Sequence, residues 1–478
     1  MEEVKRKIDF TEGRLFSKIL LFVLPIVLTN LLQTFYNAAD MMVVSLSSEK
    51  NAVGAIGTTS SFVHLIVNVF IGFSVGANVV VAREVGAKNR EKTQKAVHTA
   101  LLMAVIFGFL GMIIGMSASK VVLSGMGNTG NLLELAVTYT LIYFAGVPFL
   151  SLTNFLIAIF RAKGDSKTPL FVLTATGVLN VVLNLFFVLV VGLSVEGVAL
   201  ATVLSNVVSV AVLLIKLRRD NDDTKFSFKS LRLDKEAFKD VISNGLPAGI
   251  QGALFSLSNM LIQSSVVKVN KILCPPNTEI APIVNGNAAA ANIEGFVYTA
   301  MNAVYQGAIT ITGQNIGAKK PKRVYRIMYV CFGVVTMIGV LLSGLVLIFA
   351  KPLLSLYGVV EGVEGSLDAL AFYASNVRFQ FICATYFLCG VMEVCVGVLR
   401  GLGKSVVSTV ISLMGACLLR VVWLWTVFAA AQSLETIFVS YPISWIVTGV
   451  VSFVAIQVLL KKSIKEQKEE QQTVAEVE

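Results

Sequence analysis

Between Phe16 and Val44 the sequence sets four polar side chains, Asn30, Gln33, Asn37 and Asp40, into an otherwise apolar run. Their spacing of i, i+3, i+7 and i+10 places all four along one face of a helix. The run is long enough to cross a bilayer, which takes about 20 mostly apolar residues. An ionisable group inside such a span is costly unless it faces a protein interior or a water-filled cavity. A polar stripe that ends in one carboxylate is therefore suited to binding and releasing a small cation. Pro25 lies in the same run, where it removes one backbone donor and can bend the helix.

Two further stripes offer neutral oxygens. Asn180 and Asn184 are i, i+4, with Thr176 one turn earlier, and Thr202, Asn206 and Ser209 follow on the next apolar run. Oxygens at this spacing can complete the shell of a hard cation around Asp40, or serve as polar contacts between membrane helices. The second half of the chain has Ser256, Asn259 and Gln263 in the matching first helix, but no acid there. Its acids are Glu294 and Glu393. Glu294, Tyr298, Asn302 and Tyr305 share a helical face, which reads as a cavity wall for flat, cationic ligands. The candidate cavity residues are thus Gln33, Asn37, Asn259, Gln263, Glu294, Tyr298, Asn302 and Glu393.

Each has a plainer alternative. Glu294 and Arg420 fall at similar depths in their spans, so a structural ion pair between them competes with the cavity role. Glu393 either pairs with a basic loop residue such as Arg400 or lines an inner vestibule. His64, flanked by apolar residues, can gate with pH, but a hydrogen-bonded interior histidine is the reading preferred here. The stretch GVLRGLGKS around Lys404 approaches a phosphate-binding loop, yet it has Val398 where glycine is required and no preceding strand.

These residues must be held by membrane helices. The chain is 55% hydrophobic and 14% charged, which excludes a soluble globule. Apolar spans fall near 16–44, 52–80, 97–119, 133–160, 169–192, 195–217, 241–267, 283–312, 327–350, 370–399, 405–429 and 436–460. The net charge of +10 is distributed as a topology signal rather than a nucleic-acid footprint. With the N-terminus inside, Lys50, Lys120, Lys268, Lys271 and Lys351 fall outside, Arg378 and Arg420 fall within spans, and every other Lys and Arg is cytoplasmic. The basic start leads into a full-length span without a cleavage site, so Met1 is expected to remain, on the cytoplasmic side. Six cysteines without a CxxC pair argue against a disulfide framework or zinc site.

Landmarks repeat in order. Pro25, VGAKNREK (85–92) and FRAKGDSK (160–167) in the first half answer to Pro247, IGAKKPKR (316–323) and LRGLGKSV (399–406) in the second. Each repeat holds six spans, so both halves enter the membrane in one orientation, related by a pseudo-twofold axis along its normal, with substrate between them. The domains expected are an N-terminal lobe (1–217), a cytoplasmic linker (218–238) whose later part can form a short surface helix, a C-terminal lobe (239–462) and a disordered cytoplasmic tail (463–478).

The tandem landmarks, with the LLQTFYNAAD helix, resemble the multidrug and toxic compound extrusion (MATE) transporters over roughly 15–460. The resemblance implies an all-α, twelve-helix secondary transporter in the bacterial cell membrane, exporting organic cations in exchange for H+ or Na+. It is nearest to the bacterial branch with an acidic coupling residue on the first helix, matched by Asp40, with Asn180 and Thr202 as polar partners. Asn184 departs from the pattern, since relatives often carry Asp there. The expected partners are small amphipathic or cationic substrates and the lipid bilayer, with no nucleic acid, acting as a monomer. No cofactor is expected beyond the coupling ion, and no metal beyond Na+ at Asp40. The alternative, a flippase for lipid-linked oligosaccharides, would be expected to line its cavity with several Arg or Lys and is disfavoured because only Arg378 and Arg420 lie within spans; a membrane-embedded transferase would need clustered catalytic acids or histidines near one interface, and none is seen.

Overall fold

The computed structural model describes residues 7–47, 49, 51–274, 281–363 and 365–477; Met1, Lys50 and Glu478 lie outside them. All regular structure among the described residues is helical. In chain order the long helices are α1 (Leu15–Ser45), α2 (Ala52–Gly86), α3 (Arg90–Gly125), α4 (Gly130–Ala145 and Val147–Ala162), α5 (Lys167–Val190) and α6 (Val195–Arg219). There follow α7 (Lys235–Leu273), α8 (Pro282–Gly317), α9 (Pro321–Ile348), α10 (Leu367–Gly401), α11 (Ser405–Ala430) and α12 (Leu434–Phe438 leading into Ser440–Val477).

Among the described residues nine helices are long and apolar enough to cross a membrane, or ten when α4 counts as one bent span. The chain is therefore an all-α polytopic membrane protein. The two expected spans outside that set are α7 and α8, whose apolar character is diluted by Asn244, Gln251, Asn259 and Gln263 and by Asn287, Asn292, Glu294, Asn302 and Gln306. The break in α4 bends it by 49° at Gly146, just before Pro148, where a missing donor weakens the helix.

The sequence repeat is also a repeat of backbone conformation. Lys88 (φ 54°) and Lys319 (φ 53°) end the two GAK turns in the left-handed region. Both turns carry the same paired bonds: Lys88 N–H to Val85 O and Asn89 N–H to Glu84 O, against Lys319 N–H to Ile316 O and Lys320 N–H to Asn315 O. Gly164 and Gly403, at φ 84° and 73°, form a second matched pair. Each closes its helix by the same two bonds, which satisfy carbonyls left orphaned at a helix end.

The chain forms two compact units, Met1–Ala253 with Gly313–Lys320 and Leu254–Thr312 with Pro321–Glu478. The division falls inside α7 and α8, whereas the sequence places it in the 218–238 linker. Close helix contact explains the first shift. A Cβ on Gly72 would lie 2.2 Å from Gly249 N, and one on Gly76 would lie 2.4 Å from Val241 O. Only glycines spaced by four on both helices permit this approach. In the same unit the segment before α1 is tied down by Ile8 N–H to Gly164 O, Asn315 Nδ2 to Phe10 O and a Lys7–Asp222 ion pair.

The linker is stitched to α3. Ser227 N–H donates to His98 Nε2 at 3.1 Å and Asp234 N–H to Thr99 Oγ1 at 3.0 Å. A single 3-10 turn, Phe228–Ser230, stands where a short amphipathic helix is expected. The tail 463–478, expected to be disordered, is helical up to Val477. Lys462 with Glu466 and Lys465 with Glu469 make i, i+4 pairs that support such a helix.

Candidate functional site

In the first unit α1 continues through Pro25, with Thr29 Oγ1 donating to the Pro25 carbonyl at 2.7 Å. It lies against α5. The Tyr36 hydroxyl donates to Thr174 O at 3.2 Å, and the Tyr36 ring occupies the space a Cβ on Gly177 would fill. This register brings Asp40 opposite the amide stripe of α5. Asn184 Nδ2 donates to Asp40 Oδ1 at 2.5 Å and to Asn180 Oδ1 at 3.3 Å. Asn180 Nδ2 in turn faces Thr202 Oγ1 of α6 at 3.5 Å. One turn along, Ser209 Oγ donates to Thr176 Oγ1 at 2.8 Å. The four residues read from the sequence as a coupling set are thus one connected chain from α1 through α5 to α6.

Three features of this chain matter chemically. Asn184 is 0% exposed, yet among the described residues its Oδ1 has no hydrogen-bond partner. An orphaned buried acceptor is expensive. Among the described residues Asp40 receives a single side-chain hydrogen bond, whereas an ionised carboxylate has about four acceptor sites. Finally, α5 turns from α-helix to π-helix at Phe186–Val190, directly after Asn184, and such wide turns concentrate at functional positions. One carboxylate with neutral oxygens from Asn184, Asn180 and Thr202 balances a single positive charge. The donor set fits a proton or a monovalent hard cation.

Two tyrosines of α4, unremarked in the sequence, belong to this neighbourhood. Tyr139 and Tyr143 stack at 6.0 Å between centroids, within electrostatic range of Asp40. Their i, i+4 spacing is the signal that could have found them. By contrast Gln33 and Asn37 are exposed on α1, and among the described residues only Asp40 of the stripe is hydrogen-bonded to the amides.

In the second unit the alternative ion pair weighed for Glu294 does not form with Arg420. The partner of Glu294 is Arg378 of α10. Arg378 also donates to Asn287 Oδ1 at 2.7 Å, and Asn287 Nδ2 to Gln263 Oε1 at 3.0 Å. Similar depth does not make neighbours, and α10 presents its guanidinium to α8. Glu393 makes no ion pair with Arg400, which instead donates to the Tyr305 hydroxyl. Gln306 Nε2 donates to Asn302 Oδ1 at 2.8 Å, and Asn259 is exposed. Tyr298 stacks on Tyr386 at 6.5 Å between centroids. His64, read as a hydrogen-bonded interior histidine, is instead exposed on α2 and makes no hydrogen bond among the described residues.

The MatE family profile matches residues 25–186 and 247–426 of the chain. A Bacillus subtilis (strain 168) protein named "Probable multidrug resistance protein YoeA" is 28% identical over 82% of this chain and 82% of its own length. The Staphylococcus aureus (strain MRSA252) "Multidrug export protein MepA" is 22% identical over 53% of this chain and 56% of its own length. A solved structure of a multidrug resistance MATE family transporter, described as outward-facing, superposes with a TM-score of 0.85 at 19% identity. It covers 95% of this chain and 98% of that one. At that identity the likeness establishes the fold alone.

Proposed function

This chain belongs to the MatE family, and from that premise we propose that it is a secondary multidrug transporter. It exports amphipathic organic compounds, cations among them, in exchange for H+ or Na+. The observation that carries the reading is the Asp40–Asn184–Asn180–Thr202 chain with its orphaned Asn184 oxygen. An ionised Asp40 in an apolar span is costly. Taking up H+ or Na+ cancels that charge and gives the free oxygens a partner, so the ion-loaded and ion-free forms of α1 and α5 differ in free energy. Coupling follows only if the ion binds the outward-open and inward-open states with different affinity. Substrate entering from the cytoplasm is then expelled when the ion arrives from outside.

On this reading the protein resides in a bacterial cytoplasmic membrane with both termini and the 218–238 linker inside, and functions as a monomer of two six-helix lobes. The test is efflux of ethidium from proteoliposomes under an imposed pH gradient or an imposed Na+ gradient. Efflux driven by either gradient supports the reading and names the ion. Efflux that responds to neither rules it out.

A further inference from the structure

The 218–238 linker joins α6 to α7 and lies wholly within the first unit. It is fastened to the side of α3, not beyond its end. Ser227 and Asp234 bond to His98 and Thr99. Those residues stand about 12–14 Å from the start of α3 at Arg90, at 1.5 Å per residue. There the charged stretch 90–95 has just given way to the apolar run that begins at Val97. The fastening therefore sets the linker at the depth where α3 enters the hydrocarbon, the level of lipid headgroups.

The linker sorts its charges by sign. Its acids are all engaged within the unit. Asp220 pairs with Lys163, Asp222 with Lys7 and Lys163, Asp223 with Arg90 at 3.8 Å and Glu236 with Lys92 at 3.5 Å. Asp234 Oδ1 accepts the Ala237 N–H at 2.9 Å. Its cations, Arg218, Arg219, Lys225, Lys229, Arg232 and Lys235, are exposed, and among the described residues none makes an ion pair. Two large apolar side chains stand among these free charges. Phe226 is buried and stacks on His98 at 5.6 Å, but Phe228, edge-on to it at 4.7 Å, is 65% exposed. The Arg218 guanidinium carbon lies 5.8 Å from the Phe228 centroid, and Leu233 is 45% exposed.

Apolar side chains set among unpaired cations meet both requirements for holding an anionic lipid surface, buried area and charge. We infer that the 218–238 linker is an interfacial platform for anionic phospholipids. Its Lys and Arg take the headgroup phosphates, and Phe228 and Leu233 enter the boundary between headgroups and acyl chains. A zwitterionic lipid brings a cation with each phosphate and gains less from the same surface. Setting topology needs only that the cations be on the loop. It gives no reason for the acids to be paired off, or for Phe228 and Leu233 to stand beside the free charges. The inference goes beyond the transport reading and does not depend on Asp40 or on the coupling ion.

The test is native mass spectrometry of detergent-purified full-length protein titrated with phosphatidylglycerol, phosphatidylcholine or the chain-free headgroup compound glycerol phosphate. The wild type should bind its first phosphatidylglycerol roughly tenfold or more tightly than phosphatidylcholine, the range for a hydrogen-bonded charge. Glycerol phosphate, which has no acyl chain for Phe228 and Leu233 to meet, should bind more weakly than phosphatidylglycerol by a similar factor. Replacing Lys225→Gln, Lys229→Gln and Arg232→Gln together should erase the preference between the lipids. The same loss of charge on α12, by Lys461→Gln, Lys462→Gln and Lys468→Gln at exposed positions, should leave it. Phe228→Ser with Leu233→Ser should weaken phosphatidylglycerol severalfold at unchanged charge. Equal wild-type affinities for the two lipids, equal losses from the two sets of charge substitutions, or glycerol phosphate bound as tightly as phosphatidylglycerol would each overturn the platform. The wild-type comparisons decide even if a substituted protein does not fold.

Discussion

Asn184 gives its one amide nitrogen to Asp40 at 2.5 Å and to Asn180 at 3.3 Å, and keeps a buried oxygen with no partner among the described residues. The amide therefore orients the carboxylate and also offers a ligand atom. Asn184→Leu, similar in branching though larger, removes both roles and takes from Asp40 Oδ1 and Asn180 Oδ1 the donor that each accepts from. Ion-driven efflux should fall about tenfold or more, the worth of one hydrogen bond to a charged group, with the detergent-extracted protein still monodisperse. Initial efflux rates at matched protein content check this. A rate within twofold of wild type would remove Asn184 from the site.

The Glu294–Arg378 pair is structural in character, with both side chains nearly enclosed. Removing one partner strands the other charge, a loss of about 3–5 kcal/mol for buried pairs. Arg378→Met should therefore lower the thermal midpoint in detergent more than the double substitution Arg378→Met, Glu294→Leu. The opposite order would mean that the pair is not the reason for the burial.

The approach of α2 to α7 leaves no room for a methyl group. A Cβ on Gly76 would lie 2.4 Å from Val241 O and 2.6 Å from Gly245 N, both backbone atoms. Gly76→Ala should reduce thermal stability measured by size exclusion after heating, while Gly57→Ala, with open space around it, should not.

Acid should loosen the tie of the N-terminal segment. Burial pushes the Asp222 carboxyl up, but Lys163, Lys7 and the Thr224 hydroxyl outweigh it and hold the group below the usual carboxylate range. A carboxyl depressed on folding adds stability above its unfolded value of about 3.9, and that contribution disappears as pH falls through the lower folded value. Asp222→Asn should lower the thermal midpoint at pH 7 and converge on wild type as pH falls through the lowered folded value. Parallel curves throughout would show that Asp222 contributes nothing through its charge.

Periodicity made part of this molecule legible. Asp40, Asn180, Asn184 and Thr202 stood out because each is polar at helical spacing in an apolar run, and the matched GAK turns stood out because sequence and left-handed backbone repeat together. What spacing does not encode is which helices touch. Glu294 and Arg420 looked like partners by depth, yet Arg378 is the one that α10 delivers. The same limit hid the exposure of His64 and the contact of α7 with α2, which depends on Gly72, Gly76, Gly245 and Gly249 meeting across two helices. The break at Gly146 and the π-turns after Asn184 and before Arg420 are backbone events with only weak local signatures.

The central claim is that Asp40 trades its charge for the inward-moving ion. The direct measurement compares ion-driven ethidium efflux with ion-independent exchange of labelled for unlabelled ethidium, in wild-type and Asp40→Asn proteoliposomes. The account predicts that Asp40→Asn abolishes the first and preserves the second, because the substrate path remains while the exchangeable charge is gone. Undiminished gradient-driven efflux by Asp40→Asn would contradict it.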